Sequence, residues 1–79
     1  MSYMFEVYYK PPVDPKKEAV ATEVVSRLGG WLSYREAPDG RGSVCLTYEF
    51  DGLAEAEAAG EALRKQGMHV EGPVEYGSC

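Results

Sequence analysis

The chain is expected to fold as an α+β domain in which one four-stranded antiparallel sheet carries two helices on a single face. Three observations lead there. Apolar and polar residues alternate in two well-separated runs, apolar residues recur at helical spacing in two others, and clusters of turn residues divide the runs. At 79 residues there is room for one modest core, so the expectation is a single domain over residues 1–79 built from two layers.

The first strand is read from Tyr3 to Lys10, where Tyr3, Phe5, Val7 and Tyr9 share one face and Met4, Glu6, Tyr8 and Lys10 the other. Pro11, Pro12 and Pro15 stop it, because proline has no N–H to give a sheet ladder. Asp14 followed by Pro15 signals a helix start: an N-cap acceptor, then a residue whose fixed φ suits the first turn. Val20, Ala21, Val24, Val25 and Leu28 form the apolar stripe of that helix, Glu23 and Arg27 a pair on its outer side, and Gly29 and Gly30 its stop.

Trp31 to Ala37 makes a short aromatic-rich second strand. Adjacent Trp31 and Leu32 cannot both point inward, and Leu32 and Tyr34 are assigned inward, with Trp31, Ser33 and Arg35 outward. Pro38 to Gly42 is a turn cluster, so the second strand and the next, Ser43 to Phe50, read as a hairpin. In that third strand Val44, Leu46, Tyr48 and Phe50 alternate with Ser43, Cys45, Thr47 and Glu49. A second helix follows Asp51 and Gly52, with a stripe of Leu53, Ala56, Ala59, Gly60 and Leu63. The small residues of that stripe suit a close approach of the helix to its neighbour, and Glu61 and Lys65 stand four apart outside. Gly67 ends the helix. Met68 to Glu71 opens a last strand, interrupted by Gly72 and Pro73 before Val74, Glu75 and Tyr76; residues 77–79 read as a flexible tail.

The order strand, helix, strand, strand, helix, strand resembles the ferredoxin-like βαββαβ plait over nearly the whole chain. That resemblance implies the strand order 4-1-3-2, first and third strands central. It implies no activity, because this plait hosts many unrelated ones. If the helices cover the face of Phe5, Val7, Val44, Leu46, Tyr48, Phe50 and Val70, the reverse is left open. By parity it presents Glu6, Tyr8, Trp31, Arg35, Cys45, Thr47 and His69, with Glu71 beside them. These residues form the candidate interface or ligand face. A mixture of Tyr, Trp and Arg suits a contact patch, and a homodimer through the open face or an edge strand is the expected partner arrangement.

Other chemistries find less support. Thirteen acidic against eight basic residues leave a net charge of -5, which opposes binding to phosphate backbones. The run Arg41 to Tyr48 resembles the signature octamer of RNA recognition motifs at Arg41, Gly42, Leu46 and Tyr48. Ser43 and Cys45, however, stand where that family stacks bases on aromatic rings, so no nucleic-acid partner is expected. Acylphosphatases share the plait but use a glycine-containing first loop with an arginine, and heavy-metal domains place a CxxC there; this loop has neither. With one histidine and two distant cysteines, no metal or other cofactor is expected, and Cys45 and Cys79 are read as free thiols. No hydrophobic run exceeds three residues, so no membrane segment or signal peptide is expected and the location is taken as cytoplasmic. The resulting expectation is a self-associating interaction or regulatory module with no assigned catalytic residues. The alternative is a small enzyme or small-ligand sensor on the open face, with Cys45 or His69 as the reactive group; small dimeric monooxygenases of this plait, which resemble the chain in architecture, instead need few catalytic side chains and use a pocket between helices and sheet.

Overall fold

A computed structural model of the protein describes residues 1–37 and 42–76. Most of the Pro38 to Gly42 turn cluster, the expected 77–79 tail and Cys79 lie outside the described residues. The elements run β1 (Ser2–Tyr9), α1 (Pro15–Arg27), β2 (Trp31–Glu36), β3 (Val44–Phe50), α2 (Leu53–Lys65) and β4 (His69–Tyr76). The strands form one antiparallel sheet in the order β2-β3-β1-β4, which is the expected order read from its other side. The arrangement is an α+β ferredoxin-like one, with β1 and β3 central and β2 and β4 at the edges.

Local chemistry fixes the helix ends. Asp14 adopts extended backbone and its carboxylate accepts from the Lys17 N–H at 3.1 Å, with Pro15 at the first helical position. Gly29 and Gly67, both at φ +87°, close the two helices, and the outer pair Glu23–Arg27 of α1 is made at 3.3 Å. On α2 the expected Glu61–Lys65 pair is replaced by a loose Glu61–Arg64 approach of 3.9 Å, because Arg64 reaches towards β4 instead.

The core lies where the alternation places it. Phe5, Val7, Val44, Leu46, Tyr48 and Phe50 are fully buried against Ala21 and Val25 of α1 and Ala56, Ala59 and Leu63 of α2. Burying such side chains supplies the main drive for folding, about 1.5–3 kcal/mol each for the larger ones. Phe5 sits in tilted contact with Tyr48 and Phe50, with ring centroids 5.8 and 5.5 Å away. The Tyr48 hydroxyl is carried into the core only because it meets Thr22 Oγ1 at 2.9 Å. Leu53, expected in the buried stripe of α2, is exposed at the first residue of the helix.

Two irregularities position the surface. In β4 the expected break is a bulge inside one continuous strand: Gly72 and Pro73 together oppose Phe5. Gly72 has φ +116°, and a Cβ there would stand 3.0 Å from the Met4 carbonyl oxygen, so both conformation and space call for glycine. In β2 one residue is also in excess, for Leu32 opposes Tyr48 whereas Tyr34 opposes Thr47, leaving Ser33 between them. This second bulge overturns part of the expected sidedness. Beyond it Tyr34 lies on the open face and Arg35 on the helix side, opposite Leu46. Both assignments are the reverse of those read by simple alternation.

Candidate functional site

The open face is best described as three rows across the sheet. The register aligns Trp31, Glu49, Met4 and Val74 in the first, Tyr34, Thr47, Glu6 and Glu71 in the second, and Glu36, Cys45, Tyr8 and His69 in the third. Of the seven residues expected there, Glu6, Tyr8, Trp31, Cys45, Thr47 and His69 share this face. Arg35 does not.

Polar side chains on this face are largely satisfied by one another. The Tyr8 hydroxyl donates to Glu6 Oε1 at 3.0 Å and the Cys45 thiol to Glu6 Oε2 at 3.6 Å, so one carboxylate gathers both. Holding that hydrogen bond to a carboxylate pushes the Tyr8 phenol well above its ordinary range. Ser33 Oγ donates to Glu49, and His69 Nε2 lies 2.9 Å from Glu71 Oε2. The His69 ring stands 6.0 Å from that of Tyr8, so the imidazole takes its polar partner from its own strand rather than from β1. Cys45 and Thr47, though on the expected face, are only 6 % exposed. They are the small residues between larger ones, flanked in register by Tyr8 and Glu36 and by Glu6 and Tyr34. They offer a partner almost no contact area.

Cys45 is also a poor nucleophile. Burial first, and the Glu6 charge next, push its thiol upward, away from the thiolate that reaction requires. Tyr8, Tyr9, Lys10, Ser43 and His69 line a shallow depression of about 210 Å³ at one end of the sheet, below the size usual for a drug-like ligand site.

The face is acidic. Glu6, Glu36, Glu49 and Glu71 lie on it by register; of the two cations expected among them, Arg35 has crossed to the helix side and Lys10 stands at the end of the sheet beside Tyr8 and His69. There Arg35 forms a two-pronged contact with Glu18 of α1, Nε to Oε1 at 2.8 Å and Nη2 to Oε2 at 3.1 Å. Glu18 also accepts from the Tyr9 hydroxyl, which in turn accepts from the Asp14 N–H at 2.9 Å, and the Lys17 ammonium lies 5.3 Å from the Tyr9 ring centroid. This cluster joins β1, the start of α1 and β2. The Arg35 guanidinium holds the Glu18 carboxyl below its usual range, and burial chiefly pushes the Tyr9 phenol up. Sequence reading missed the cluster; its one available signal was that Glu18 falls three and seven residues before the buried Ala21 and Val25, on the inward side of α1.

What remains unsatisfied is the edge at β2. Every one of its six residues is exposed, including Trp31 at 42 %, Leu32 at 40 % and Tyr34 at 61 %. Among the described residues its one neighbour in the sheet is β3, so its outer row of backbone groups faces away from the sheet. The opposite edge is protected. Pro73 offers no N–H, the bulge at Gly72 breaks the ladder, and Arg64 Nη2 donates to the carbonyls of Val70 and Gly72 at 3.1 and 2.9 Å.

Comparison with protein-family models, curated proteins and solved structures finds no match. The functional reading therefore rests on the geometry of the face and the edge. Among the described residues no helix is long and apolar enough to cross a membrane.

Proposed function

We propose that the protein is a small self-associating interaction module whose contact element is the edge strand β2. The observation that carries this reading is the contrast between the edges: β4 is blunted by a proline, a bulge and an arginine, whereas β2 presents Trp31, Leu32 and Tyr34 on a strand with no neighbour on its outer side among the described residues. Aromatic residues at an exposed edge are the composition of a contact centre. Stacking of two open faces is disfavoured by the same geometry, because it would set Glu6, Glu36, Glu49 and Glu71 of one copy against those of the other. Edge pairing keeps the two acidic faces side by side.

The test is oligomeric state by light scattering at micromolar concentrations, with reducing agent so that Cys79 does not cross-link chains. Dimer is expected. Trp31→Glu should weaken it with the circular dichroism unchanged, and Tyr8→Glu, about 10 Å from β2 across two strand spacings, should leave it intact. A monomer at every concentration would remove the proposal, and loss of the dimer in Tyr8→Glu alone would move the contact to the open face.

A further inference from the structure

Resting on that reading, we infer that two copies join as antiparallel neighbours through β2, in the register that sets Trp31 opposite the partner's Glu36, Leu32 opposite the partner's Arg35 and Ser33 opposite the partner's Tyr34. The inference comes from the bulge. Residues directly opposite one another in antiparallel strands must lie on the same side of the sheet. A regularly alternating six-residue strand cannot meet that condition when paired with itself about its midpoint, since its first residue and its last lie on opposite sides.

The extra residue in β2 changes this. Trp31 opposes Glu49 on the open side, Leu32 opposes Tyr48 on the helix side, and Ser33 reaches the open side to donate to Glu49. Tyr34 opposes Thr47 on the open side, Arg35 opposes Leu46 on the helix side, and Glu36 opposes Cys45 on the open side. Read from either end the order is open, helix, open, open, helix, open. The strand is self-complementary about the point between Ser33 and Tyr34, and each copy's bulge falls opposite the other's.

Neighbouring registers fail on the same grounds. A shift of one or two residues sets an open-side residue against a helix-side one. A larger shift that restores the match shortens the paired segment and, in one direction, places Arg35 against the partner's Arg35. In the inferred register no like charges stand opposite. Glu36 meets an indole, and Arg35, held by Glu18, lays its stem against Leu32, whose exposure on the helix side is otherwise unaccounted for. A second copy is thus a better occupant of this edge than an arbitrary extended peptide, because the sidedness of β2 matches itself.

Cross-linking of the full chain tests the register separately from association. Trp31→Cys and Glu36→Cys are made in a Cys79→Ser background and treated, singly and mixed, with a short bifunctional thiol reagent. The background protein controls for the buried Cys45. The expected result is cross-linked heterodimer in the mixture and only background product from either variant alone, since like residues stand about 17 Å apart along the paired strands. Tyr34→Cys, next to the dyad, should cross-link to itself and provides the same test with Trp31 intact. A dimer by light scattering in which Trp31→Cys links to itself, or in which neither the mixture nor Tyr34→Cys links, overturns the register while leaving association standing. A monomer overturns both.

Discussion

Two glycines, Gly30 and Gly60, lie against the core for opposite reasons. A methyl group at Gly60 in α2 would find Val70 Cγ1 at 3.6 Å and Phe5 at 3.8 Å, which is ordinary contact. The small-residue stripe therefore leaves room, and the close approach expected from it is not tight at this point. Gly60→Ala should raise stability by about 0.5–1 kcal/mol through helix propensity. At Gly30 the same methyl would lie 2.5 Å from the buried Phe50 ring, so Gly30→Ala should cost about 1–3 kcal/mol through overpacking. Urea denaturation of the two variants checks both signs. Glu18 supplies a pH dependence. Its pKa is lowered in the folded protein, chiefly by Arg35, so its contribution is fully present above the ordinary value of 4.5 and disappears as the pH falls through the folded value. The gap in urea midpoint between the wild type and Glu18→Gln should be open at neutral pH and close on acidification below that range. A gap independent of pH would assign the effect to packing.

At the scale of elements, legibility depended on whether a strand keeps its period. The core faces of β1 and β3 were readable because alternation persists through every residue from Tyr3 to Tyr9 and from Val44 to Phe50. The cap at Asp14 was readable because one residue type does that work at one position. The bulge of β4 announced itself through Gly72 and Pro73, although as a break rather than an extra residue. The bulge of β2 had no such mark: Trp31 to Glu36 contains neither glycine nor proline, and one excess residue reverses every side chain beyond it. That is why Arg35 and Tyr34 were exchanged between faces while Trp31, before the bulge, was placed correctly. If the proposed edge contact forms, the outward-facing amides of β2 should exchange in a concentration-dependent way. Protection of those amides within residues 31–36 is expected to rise with protein concentration, while that of the central strands β1 and β3 stays constant. Uniform behaviour across all four strands would argue against an edge contact.

For the whole molecule the dominant long-range term is its net charge of -5 per copy. Two such copies repel at low ionic strength, and the repulsion is screened over about 10 Å at 0.1 M salt. If the contact is made by backbone pairing and apolar side chains, added sodium chloride should tighten the dimer in sedimentation equilibrium. A contact made by opposed charges would loosen instead. The acidic open face contributes to the same balance, since Glu6, Glu36, Glu49 and Glu71 lie on one side of the sheet.

The protection of β4 has a consequence for how far assembly goes. A sheet with two free margins can recruit copies head to tail without limit, and such growth ends in fibres or turbidity. Here Arg64 and Pro73 blunt the middle of one margin, so if two copies meet through the other, further growth through β4 is hindered. On the proposed edge pairing, Arg64 would act as a chain terminator, holding assembly at a closed pair.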